Sequence, residues 1–145
     1  MTAQALAFRI IIEKPIAGIL YGLQKGSGNS YETIQKQLSN SGDLVFDIML
    51  PLKTNKEGTL VLHGPFVQGP PNEKFLYIDI GSYAGQHHPF FNGRLKIPLT
   101  GITGSTMREA VNGKLLLAKI PGTKGKNGQP NMGTVKPFEG WKIGG

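Results

Sequence analysis

Residues 63–80 read HGPFVQGPPNEKFLYIDI, and this stretch decides the fold class. Gly64 to Pro71 holds three prolines and two glycines in eight residues, interleaved with Phe66 and Val67. Proline fixes φ and removes a backbone donor, while glycine opens positive φ, so the mixture specifies one tight backbone path. Phe75-Leu-Tyr-Ile-Asp-Ile80 follows at once and is rich in strong β-formers. In a strand, Leu76, Ile78 and Ile80 face the core while Phe75, Tyr77 and Asp79 take the other face. Residues 85–93, GQHHPFFNG, read as a long loop; its Asn92-Gly93 either makes a two-residue hairpin or closes the loop. A second strand follows, with Leu95, Ile97 and Leu99 alternating against Arg94, Lys96 and Pro98. Pro98 belongs near a strand end, an edge or a bulge.

The same rhythm extends outward. Leu6, Phe8, Ile10 and Ile12 alternate with Arg9, Ile11 and Glu13. Pro15 and Gly18 turn the chain into a short strand over 19–24, where Gly22 suggests a bulge. Tyr31 to Leu38 fits helical or strand spacing, and strand is preferred. Leu44, Phe46, Ile48 and Leu50 mark a clear strand over 43–52, with a turn at 53–58 and a short return strand over 59–63. One helix is predicted near 104–112, capped by Thr103 or Ser105, with Met107, Ala110 and Val111 on its apolar side and Asn112-Gly113 at its end. Strands at 114–120 and 132–137 flank a Gly/Lys loop over 121–131, and Phe138, Trp141 and Ile143 are expected on the core. Seven or eight short strands and one helix predict a single all-β domain over 1–145. The expected form is an antiparallel β-sandwich, less favourably a barrel.

Composition sets further bounds. The chain has 145 residues, enough to bury a core without disulfides or metals. It has no cysteine, which excludes disulfides, thiolate metal sites and cysteine nucleophiles. The 16 Lys+Arg against 9 Asp+Glu give a net charge of +7, yet no three basic residues are consecutive, so a solvated basic surface is preferred to a nucleic-acid footprint. The N-terminus lacks a basic n-region, Arg9 and Glu13 break its apolar run, and the expected location is cytoplasmic, without a membrane.

Four segments stand together: GILYGLQKG at 18–26, GPFVQGPPNEKFLYI at 64–78, RLKIPLTGIT at 94–103 and Gly140-Trp141. In this order and spacing the chain resembles an uncharacterised family of small bacterial proteins, a domain of unknown function. The resemblance implies a bacterial, cytoplasmic, single-domain protein. It brings no activity, ligand or catalytic residue.

The chemical candidates are few. Adjacent His87 and His88 could share a metal only from a loop, with His63 as a third ligand, but no metal-binding spacing supports this and no metal or cofactor is expected. Asp79 is either a paired strand carboxylate, with Arg9, Arg94 or Lys96 as partner, or an acid–base group working with a histidine. The glycine loops at 26–28 and 122–128 lack dinucleotide and P-loop endings, though Lys124 and Lys126 could help cradle an anion. Tyr83, His87, His88, Phe90 and Phe91 make a ring-rich segment. It either stacks on a ligand or partner, or folds back to close the open end of the sandwich, and closure is preferred. The leading expectation is a non-enzymatic binding domain for a protein partner or a small anionic or aromatic ligand. Tyr83, His87, His88, Phe90, Phe91, Lys124 and Lys126 are its candidate ligand-binding residues. A small hydrolase or isomerase using Asp79 with a histidine is the alternative, and nucleic-acid binding a second one. Monomer and dimer are both open.

Overall fold

The computed structural model describes residues 5–16, 18–26, 31–35, 42–54, 56, 58, 60–69, 73–83, 89–99, 102, 104–124, 129–130, 133–134 and 141–144. In chain order the first strands are β1 (Ala5–Glu13), β2 (Leu20–Gln24), β3 (Tyr31–Gln35), β4 (Leu44–Thr54), β5 (Leu60–Leu62), β6 (Phe75–Tyr83) and β7 (Pro89–Pro98). The helix α1 (Gly104–Val111) follows, then β8 (Leu115–Pro121), β9 (Thr123–Lys124), β10 (Gln129–Pro130), β11 (Gly133–Thr134) and β12 (Lys142–Gly144).

Ten of these strands form two five-stranded sheets, ordered β12-β8-β1-β4-β5 and β11-β7-β6-β2-β3, with β9 and β10 as a separate ribbon. Each long strand puts one alternate set of side chains inward. Leu6, Phe8, Ile10 and Ile12 of β1 are at most 1% exposed, and Leu76, Ile78, Leu95 and Ile97 from the other sheet join the same core. The fold is thus an all-β, sandwich-like pair of sheets, with no closed barrel among the described residues. Burying these branched and aromatic side chains contributes about 1.5–3 kcal/mol each before conformational entropy is set against it.

Two pairings depart from the antiparallel expectation. β1 runs antiparallel to β4 but parallel to β8, and β11 runs parallel to β7. Side-chain alternation is the same in either direction, so sequence periodicity carries no signal for this choice. Gly22 pairs regularly with Ile34 and Asp79, and the register shift lies beyond it, where Leu23 faces Thr33 and Gln24 faces Tyr31. Ser105 lies inside α1 rather than capping it, and Thr103 is outside the described residues. Of the strand expected over 132–137, Gly133–Thr134 is described.

The Pro/Gly stretch carries the chain from one sheet to the other. Val67 N–H donates to the Gly64 carbonyl at 3.2 Å, and Gln68 exchanges backbone bonds with Phe75 at 2.9 and 3.1 Å. The turn docks on the end of β2, where Gly26 N–H donates to the Pro65 carbonyl and Gln68 Nε2 donates to the Gly26 carbonyl at 2.9 Å. Phe66 and Val67 pack against the core from this turn. Trp141 ties the sheets together: its ring meets Phe8 edge-on at 4.9 Å, and its indole N–H donates to the Pro98 carbonyl at 3.1 Å.

Candidate functional site

Two polar or charged side chains are buried among the described residues, Gln24 and Asp79, and Asp79 lies on the outer face of the second sheet. Asp79 is placed there by the alternation that sends Ile78 and Ile80 into the core. Its cross-strand neighbours are Gly22 on β2, which has no side chain, and Arg94 on β7. Arg94 therefore reaches back unobstructed, its Nε donating to one Asp79 oxygen at 2.7 Å and its Nη2 to the other at 3.4 Å. The guanidinium also lies 4.1 Å above the Tyr77 ring. Donating hydrogen bonds to the Asp79 carboxylate lifts the Arg94 pKa above the ordinary arginine value against the opposing effect of burial, so the cation persists at any working pH. Further along the same face Lys96 sits 4.2 Å over Phe75 and 3.7 Å from Glu73.

Beside this ion pair an open cavity of about 330 Å³ is lined by Asp79, Phe91, Gly93 and Arg94. Phe91 reaches it through a change of register. Ile80 faces Gly93 but Gly81 faces Phe91, which leaves Asn92 as the extra residue of a β-bulge. Phe91 opposes Gly81, two residues on from Asp79, and so shares the Asp79 face.

This corrects the long-loop expectation for residues 89–93, while residues 85–88 lie outside the described residues. Pro89, Phe90, Phe91, Asn92 and Gly93 belong to β7, and Asn92-Gly93 does not reverse the chain. Two aromatic β-formers continue the strand and find partners in Gly81 and Ser82, while Pro89 takes the first strand position, where a missing N–H is tolerated. Phe91 consequently lies on a sheet face rather than closing the sandwich end.

The remaining expected site residues distribute differently. Tyr83 and Phe90 lie near the end of the same hairpin, Tyr83 facing Pro89 and Phe90 facing Ser82, and are placed by backbone alone. Lys124 lies on the β9–β10 ribbon, opposite Gln129. His87, His88 and Lys126 fall outside the described residues. His63 is half-buried, its N–H donating to the Pro51 carbonyl at 3.0 Å. Among the described residues, no three His, Asp or Glu side chains gather as a metal site. Of the three basic partners considered for Asp79, Arg94 takes that place and Arg9 binds Asp47 instead, at 2.7 Å. Arg94 as a wall of a cavity was missed by sequence reasoning. The signal was present in the alternation of Tyr77 and Asp79 against Arg94 and Lys96, once hairpin register is known.

A family model matches residues 6–144, nearly the whole chain. The chain belongs to DUF5990, a family of unknown function. No curated protein and no solved structure matches the chain significantly. The DUF5990 match therefore agrees with the resemblance drawn from the motifs and adds no ligand to the cavity described above. Among the described residues of this DUF5990 chain, no helix is long and apolar enough to cross a membrane.

Proposed function

We propose that this protein is a non-enzymatic binding domain of the bacterial cytoplasm whose ligand is a small anion carrying an aromatic or planar apolar part. The observation that carries this reading is the Asp79–Arg94–Phe91 cavity. A guanidinium has five N–H donors, of which the bonds to Asp79 use two. The anionic head of the ligand docks on Arg94, and its planar part lies on Phe91. The volume of about 330 Å³ suits a compact ligand, at the small end of the usual range for such pockets. Both carboxylate oxygens of Asp79 are engaged by Arg94, which favours binding over acid–base chemistry at this point.

Ligand-observed NMR with benzoate, phenyl phosphate and neutral benzyl alcohol tests the reading. Both anions should show contact with the protein, and Phe91→Ala should abolish it without altering the melt, since Phe91 lies outside the core. Equal signals from the neutral alcohol, or anion binding that survives Phe91→Ala, would overturn it.

A further inference from the structure

The first sheet turns an unusual surface outward. Val45 and Met49 on β4 are the two large hydrophobic residues that stand exposed among the described residues, at 40% and 58%. By register Val45 is beside Ile11 and Met49 beside Ala7 on β1, with Leu117 next to Arg9 on β8. Between these two apolar rungs lies one charged rung: Arg9 Nε and Nη2 donate to the two oxygens of Asp47 at 2.7 and 3.1 Å.

We propose that this face is the contact between two copies of the chain. The order of charge along it selects both the partner and the symmetry. Consider a two-fold axis lying along the strands, midway between β1 and β4. It sets Arg9 of each copy over Asp47 of the other, and each Ile11–Val45 rung over its reversed counterpart. A two-fold axis across the strands would instead put Arg9 over Arg9. One orientation thus satisfies the charges and joins apolar to apolar, and the surface is complementary to itself in the manner of an isologous dimer. A partner of uniform charge would meet one member of the pair with repulsion.

The size is appropriate. Five strands span about 24 Å and the central strands run about 25 Å, with β5 and β12 only three residues long, so the face offers at most roughly 600 Å², the lower end of what each partner buries in a specific interface. Sheets stacked face to face with strands nearly aligned are a common packing. Lys119, beside Ile11, and Lys142, beside Leu117, border the face with positive charge, and the whole chain is +7, so association should tighten as moderate salt screens the two copies. This surface is on the other sheet from the Asp79 cavity and does not depend on it.

Sedimentation equilibrium of the natural protein is the test, at up to about 100 μM, above the Kd expected for an interface of this class. The expected mass is twice the 15.7 kDa of the chain. Met49→Glu should return it to the single-chain mass, with a melting temperature that matches the natural protein below the dimer Kd and falls below it at higher concentration, and Val45→Glu should do the same. Arg9→Asp and Asp47→Arg should each be monomeric, yet associate when mixed, because one then supplies two acids and the other two bases. A single-chain mass for the natural protein at all concentrations overturns the proposal. So does a dimer that tolerates both glutamates, and a mixture that stays dissociated overturns the charge pairing across this face.

Discussion

Single residues on the outer face of the second sheet show how strongly pairing depends on register. Asp79 is 4% exposed, and Arg94→Gln would remove the cation that engages both oxygens of its buried carboxylate. Breaking a fully buried pair costs about 3–5 kcal/mol, but the Arg94 side chain is half exposed, so a loss of about 2 kcal/mol is expected in urea unfolding. Tyr21 behaves differently. Its hydroxyl is buried with no well-formed hydrogen bond among the described residues, and the Ile16 backbone approaches it weakly. Burial pushes the phenol above its ordinary value of 10.0, with the Ile16 backbone offsetting part of the rise. In the unfolded chain this group ionises first, so stability is undiminished below about pH 10 and falls as pH rises beyond it. Tyr21→Phe removes that dependence. Its melting temperature should match or slightly exceed that of the natural protein near neutral pH, and the advantage should widen above about pH 10.

At the scale of elements, the Pro/Gly crossover is held by contact as much as by backbone preference. Gly69 has φ +93°, and a Cβ there would lie 2.3 Å from the Glu73 carbonyl oxygen and 2.5 Å from the Phe75 ring. Gly69→Ala should therefore cost well above the ~1 kcal/mol of a simple positive-φ penalty, about 3 kcal/mol by chemical denaturation. Gly113→Ala, at φ +97° with nothing within 4 Å, should cost only about 1 kcal/mol. The tight path of this stretch was legible because proline and glycine act locally. The inward faces of β1, β4, β6 and β7 were legible because a strand's period of two needs no knowledge of its neighbour. Asn92-Gly93 was not. The same dipeptide that can reverse a chain lies within β7 here, with Asn92 bulged, because Phe90 and Phe91 pair with Ser82 and Gly81 on β6. The candidate site inherits that limit: Asp79 and Arg94 could be named from sequence, but the cavity they share with Phe91 exists only through the bulge.

For the molecule as a whole, the parallel partner of β1 is the decisive feature that strand periodicity does not encode. β1 is the middle strand of the first sheet, yet one of its neighbours arrives from the last third of the chain, Phe8 meeting Leu116 and Ile12 meeting Ile120. Until β8 is in place, β1 presents an open edge, and Leu116, Ala118, Ile120 and Trp141 are missing from the core. Closing so long a loop is entropically costly before its contacts form, and an uncovered hydrophobic edge invites aggregation. A chain ending at Gly113 retains most of the second sheet but should lack a cooperative melt and give collapsed amide dispersion in NMR. Supplying residues 114–145 as a separate polypeptide should restore the dispersion, since β8 needs only to add beside β1 and β12 beside β8. A truncated chain that melts cooperatively by itself would show that β1, β4 and β5 hold the first sheet without β8, and that the parallel strand is an addition to the fold rather than its completion.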